Sequence, residues 1–149
     1  MKPRLQQVLI GGFAGTIVIT LVMYYVAPLM MGGPMDIAAT LADLTGTNRT
    51  VGMVIHLLLG GLLFPVVFHA MWPMLPGAGW LKGLVFGMIL AVLALVVVMP
   101  MAGMGLFMAN HPQPAMAVMG SLIGHALYGL ILGWWSAKGV EGQPTPAPA

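Results

Sequence analysis

The stretch Gly83-Leu-Val-Phe-Gly-Met-Ile-Leu-Ala-Val-Leu-Ala-Leu-Val-Val-Val-Met99 carries no polar side chain. A helix on the surface of a soluble domain keeps one polar face, so one that is apolar all round belongs in a large core or in a bilayer. The flanking chain decides between them. No charged residue occurs between Gly83 and Ala137, between Leu5 and Met35, or between Thr50 and Leu81. A membrane-crossing helix takes roughly 20 apolar residues, which gives one span to each shorter stretch and two to the longest. Of the 149 residues, 60% are hydrophobic and 5% charged, against about a quarter charged in a typical soluble domain.

The chain therefore reads as an all-α membrane protein with four transmembrane helices at about 5–27, 50–71, 80–99 and 114–135. Pro28 and the Gly32-Gly33-Pro34 break close the first, Trp72-Pro73 the second, and Asn48 or Thr50 can cap the second. Between the first two spans, Ile37, Leu41 and Leu44 recur at helical spacing with Asp36 and Asp43 on the polar side, until Gly46 ends the pattern. That segment predicts a short interfacial helix. Residues 1–138 form one transmembrane domain, and the proline-rich residues 139–149 predict a disordered tail. The long first segment has no small-residue cleavage site and reads as a retained span.

Lys2, Arg4, Lys82 and Lys138 fall on one side of this arrangement and Arg49 on the other. The excess of basic residues predicts a multi-pass protein of the bacterial inner membrane with both termini cytoplasmic, and Trp72, Trp80, Trp134 and Trp135 fall at that same interface. Five basic residues against three acidic ones make no cationic patch, which excludes nucleic acid as a partner. The absence of cysteine excludes disulfides, thiolate metal sites and thiol nucleophiles.

Two histidines lie inside the spans in matching surroundings: Gly52-Met-Val-Ile-His56-Leu-Leu-Leu-Gly60 and Ser121-Leu-Ile-Gly-His125-Ala-Leu-Tyr-Gly129. Small residues one turn before and after each imidazole make a stripe with the histidine between two notches. Shifting the first span by 72 residues places Gly11, Gly15 and Pro28 on Gly83, Gly87 and Pro100, and shifting the second by 69 places Gly52, His56 and Gly60 on Ser121, His125 and Gly129. This pattern predicts two tandem hairpins in parallel orientation, related by a pseudo-two-fold axis along the membrane normal, with both histidines at one depth.

These residues also carry a likeness. The Gly-x-x-x-Gly-Thr opening at Gly11 to Thr16, the Met35-Asp36-Ile37-Ala38 segment, His56 with Gly60, Lys82-Gly83, Met99-Pro100-Met101, and Gly120-Ser121-Leu122-Ile123-Gly124-His125 with Gly129 resemble a family of small bacterial four-helix membrane proteins of unassigned function. The likeness spans nearly all of the chain except the tail and implies the four-span fold without a mechanism.

Three readings of the histidine pair stand side by side. The small-xxx-His-xxx-Gly pattern serves as a packing device, in which close helix approach lets the imidazole bond across the contact for roughly 0.5 to 2 kcal/mol. Alternatively, His56 and His125 hold a b-type haem iron, with Gly52, Gly60, Ser121 and Gly129 making room for the macrocycle. A third reading places a soft metal such as Cu(I) among Met99, Met101, Met104 and His111, although methionine also fills irregular apolar gaps. No carboxylate lies inside a span, and no catalytic set is read. The expected role is a small accessory or assembly subunit of a membrane complex, respiratory if haem is bound, working in the lipid bilayer with other membrane subunits or with copies of itself. The alternatives are a small transporter or binding protein for a soft metal and a purely structural subunit.

Overall fold

The computed structural model describes residues 1–31 and 35–141. The expected Gly32-Gly33-Pro34 break and most of the expected tail lie outside them. Four helices are long and apolar enough to cross a membrane: α1 (Leu5–Leu29), α3 (Arg49–Met71), α4 (Gly79–Met101) and α5 (Pro114–Glu141). A short helix, α2 (Ile37–Thr45), joins the first two. Asp36 caps α2 by accepting from the Ala39 N–H at 3.0 Å, and Gly46, at φ 64°, ends it in the left-handed conformation. Asn48 caps α3 by accepting from the Val51 N–H at 3.1 Å.

Three spans carry a proline beyond their first turn, and none of them stops there. In each, a turn of π-helix precedes the proline: Val22–Val26 before Pro28, Leu59–Leu63 before Pro65, and Ala94–Val98 before Pro100. A proline ring collides with the carbonyl four residues back and offers it no N–H. The residue just before each proline bonds five residues back instead: Ala27 to the Val22 carbonyl, Phe64 to Leu59 and Met99 to Ala94. The expected ends of the first and third spans at residues 27 and 99 are therefore overrun. At the other end of the chain, α5 continues past residue 135 through Glu141. Gly139 packs there against Gln7, and the Lys138 ammonium sits 3.5 Å from the Trp134 ring centroid.

The π turns leave carbonyls behind. With Phe64 bonded to Leu59 and no N–H on Pro65, the Gly60 carbonyl has no donor within its own helix. The Tyr128 hydroxyl of α5 supplies one at 2.6 Å, in a fully buried contact.

Glycines set the order of the bundle. A Cβ at Gly83 would strike the Gly129 carbonyl, one at Gly87 the His125 carbonyl, and one at Gly133 the Gly79 carbonyl, so α4 and α5 touch backbone to backbone. Gly11 and Gly15 seat α1 on Leu132, Trp135 and Tyr128 of α5, while Gly12 faces Pro65 and Gly60 faces Thr16 between α1 and α3. The order around the bundle is thus α3, α1, α5, α4. The glycines aligned by the 72-residue shift do not make equivalent contacts, because Gly11 with Gly15 and Gly83 with Gly87 all turn toward α5.

Between α3 and α4, the seam is filled at the Lys82 end by aromatic rings. Phe68 and Phe86 lie 5.2 Å apart by centroid, and Trp72 meets Phe68 edge-on at 5.5 Å. The Lys82 ammonium bonds the Trp72 and Leu75 carbonyls, closing the turn after α3.

Removing the hydroxyl in Tyr128→Phe leaves the Gly60 carbonyl unpaired in an apolar setting, at an expected cost of about 1–3 kcal/mol. Pro65→Ala restores a backbone N–H, so the double variant should lose less stability than the two single losses added together. Denaturation in detergent, read as a double-mutant cycle, checks this. Strict additivity would sever the link between proline and tyrosine.

Candidate functional site

Toward the Arg49 end, the spans part around a cavity of about 620 Å³. Its wall is mostly apolar, with Ile19 and Met23 from α1, Leu59 and Phe64 from α3, and Leu90, Ala94 and Val97 from α4. Ile37, Thr40 and Leu41 of α2 also line it. α2 is held down by its small residues: Ala38 and Ala42 are buried, and the Gly52 notch of α3 receives the Ala38 carbonyl. The polar groups on the wall are His56, His125, Thr16, Ser121 and Tyr128, with Asp36, Asp43 and His111 also bordering it.

Both intramembrane histidines thus come to one cavity from different spans. Their partners differ. His56 Nε2 lies 2.9 Å from Thr20 Oγ1. Because the Thr20 hydroxyl donates to the Thr16 carbonyl at 2.6 Å, it can only accept from the imidazole. The hydrogen of His56 is on Nε2, and its Nδ1 carries a lone pair. For His125, Nδ1 lies 2.8 Å from the Ser121 carbonyl, which only accepts, so the hydrogen is on Nδ1 and the lone pair on Nε2. Among the described residues, neither ring pairs with a carboxylate, and neither lone-pair nitrogen takes a hydrogen bond.

The flanking small residues differ in what they meet. Gly52 receives α2, Gly60 receives Thr16, and Gly129 receives Gly83, so these three notches are filled by protein. Ser121 is buried on the cavity wall and provides the carbonyl that orients His125. Of the sulfur candidates, Met99 and Met104 border the cavity together with Met35 and Met108, while Met101 is exposed and apart from it. His111 borders the cavity but accepts the Gln113 N–H at Nδ1, 3.0 Å away. No cluster of three or more His, Asp or Glu able to hold a metal ion occurs among the described residues. His69 stands away from this cavity, with its Nδ1 buried and without a hydrogen-bond partner among them.

Sequence reasoning passed over Thr20, Thr16 and Tyr128. The signal for the first two was present, since Thr16 and Thr20 sit one turn apart on α1. It also placed Asp36 only on the polar side of the short helix. Besides capping α2, Asp36 has two further partners: Tyr24 donates to Asp36 Oδ1 at 2.6 Å, and Arg49 meets Oδ2 at 2.7 Å. This cluster joins the ends of α1, α2 and α3 beside the cavity. Burial pushes the Asp36 carboxyl upward. The Tyr24 hydrogen bond, the Ala39 N–H and the Arg49 charge together outweigh burial and hold it below its ordinary value near 3.8.

Fold and site together define a four-span helical membrane protein with a histidine-bearing cavity. The chain belongs to a family of unknown function, DUF6789, whose model matches residues 4–146. Comparisons with curated proteins and with solved structures give no match.

A carboxyl with a lowered folded-state pKa stabilises the fold above its ordinary value and ceases to do so as pH falls through the lowered one. The melting temperature in detergent should exceed that of Asp36→Asn by a constant margin from neutral pH to about pH 5, and the margin should close in more acidic buffer. A margin that closes near neutrality would contradict the Tyr24–Asp36–Arg49 arrangement.

Proposed function

We propose that the chain is a small accessory or assembly subunit of a bacterial membrane complex, built to hold an apolar ligand between its spans. The observation that carries this reading is the convergence of His56 and His125 on one largely apolar cavity. A cavity of several hundred cubic ångströms with a few converging polar groups is the usual form of a small-molecule site, and polar side chains held at membrane depth usually mark function. The outer faces of the spans expose Phe13, Ile17, Leu62, Val92 and Val96. They suit lipid, other membrane subunits or further copies of the chain. The duplicated hairpin, an inner-membrane location with both termini cytoplasmic, and α2 lying along the periplasmic surface as a roof belong to this proposal. The run of Lys2, Arg4, Lys82 and Lys138 at one end supports the orientation.

A b-type haem is the second reading, favoured by the His125 Nε2 lone pair on the cavity wall. His56 fits it less well, because its Nε2 is committed to Thr20. A haem bound here would have His125 as its first ligand and would supply one-electron chemistry. The soft-metal alternative draws on Met35, Met99, Met104 and Met108, which border the same cavity.

Mass spectrometry of the protein extracted from its own membranes tests the main reading. A small molecule should accompany the protein and be absent from Ala94→Phe, which fills the cavity from α4. A protein without companion molecules, or one that keeps them in Ala94→Phe, would contradict it. The reduced-minus-oxidised spectrum separates the second reading: haem requires a b-type α band that is lost in His125→Ala.

A further inference from the structure

The hydrogen-bond polarity of the cavity wall is one-sided. The Thr16 hydroxyl donates to the Gly12 carbonyl at 2.7 Å, Thr40 to the Asp36 carbonyl at 3.1 Å, and Tyr128 to the Gly60 carbonyl at 2.6 Å. Their hydrogens are therefore committed within the protein. His56 has its single hydrogen on Thr20 and His125 on the Ser121 carbonyl, so the nitrogen that each ring leaves for a ligand carries only a lone pair. Ser121 and, at the border, His111 are the exceptions: no acceptor takes the Ser121 hydrogen among the described residues, and His111, which accepts at Nδ1, carries its own hydrogen on Nε2.

An unpaired acceptor facing an apolar cavity is costly unless the occupant brings a hydrogen. A ligand rich in carbonyls would set lone pairs against lone pairs. A cation would bring hydrogens, but the wall gives it no charge partner at depth: Asp36 is held by Arg49 and Tyr24, and Asp43 is exposed on α2. The fitting class is neutral and apolar, with hydroxyl hydrogens at two points for two acceptor nitrogens on different helices.

We infer that the cavity selects a lipid-soluble hydroquinone over the corresponding quinone, with its hydroxyls donating to His125 Nε2 and His56 Nδ1. This rests on the reading of the cavity as a ligand site and goes beyond it in naming the class. It concerns binding alone, and no electron or proton transfer is part of it.

The test uses the full chain in lipid nanodiscs, under anaerobic conditions, with tetramethylhydroquinone and tetramethylbenzoquinone as probes of one carbon skeleton. Calorimetric titration should show the hydroquinone binding at least ten-fold more tightly. His125→Phe and His56→Phe should each remove most of that preference, and Ala94→Phe should abolish binding of both probes. Equal affinity, tighter binding of the quinone, or a preference that persists in both histidine variants would overturn the inference, as would hydroquinone binding undiminished in Ala94→Phe. Should neither probe bind while the natural companion molecule is still retained, the inference fails and the ligand-site reading stands. If no companion is found either, both fail.

Discussion

A bilayer offers no water to a backbone carbonyl, and this constraint governs the molecule more than any side-chain contact. Three of the four spans carry a proline beyond their first turn, and each of these removes an N–H where water cannot replace it. The chain answers with a π turn before every one, shifting the preceding bond back by one residue. At Pro65 the shift strands the Gly60 carbonyl, and Tyr128 reaches across from α5 to meet it. One deleted hydrogen bond in α3 thus becomes a tie between α3 and α5. That tie lies on the wall of the cavity itself.

The same economy of contacts explains why a cavity exists. Glycines bring α4 and α5 together backbone to backbone and seat α1 on α5, and Gly12, Gly60 and Pro65 join α1 to α3. The remaining seam, between α3 and α4, is filled by Phe68, Phe86 and Trp72 at the Lys82 end. Toward the Arg49 end the seam opens into the cavity, which residues of α2 also line, with α2 pinned by Gly52 and by the Tyr24–Asp36–Arg49 cluster. The parts of the cavity are thus set by different kinds of contact.

The four spans were legible because charge is absent over long stretches and because a helix can satisfy its own backbone in lipid. Their ends were less so. Pro28 and Pro100 read as terminators, yet a membrane helix can absorb a proline through a π turn, as these do. His56 and His125 stood out as polar groups in apolar surroundings. Their proton positions could not be read, because Thr20 lies 36 residues from His56 and both the Thr20 and Thr16 contacts are needed to assign it. Glycines beside a histidine equally suit a ligand or a neighbouring helix, and spacing alone does not choose. Here Gly52, Gly60 and Gly129 receive protein, and only Gly60 of the three also borders the open space. Asp36 showed its capping role in its local sequence, whereas Arg49 and Tyr24 come to it from different spans.

Two neutral imidazoles with opposite tautomers reach one cavity from different spans. Two-bond ¹H–¹⁵N correlation spectra of protein labelled at histidine nitrogen report tautomers directly, with His56→Asn and His125→Asn giving the assignments. The account predicts hydrogen on Nε2 of His56 and on Nδ1 of His125 in the unliganded protein at neutral pH. Matching tautomers at the two positions, or a doubly protonated ring at either, would contradict it.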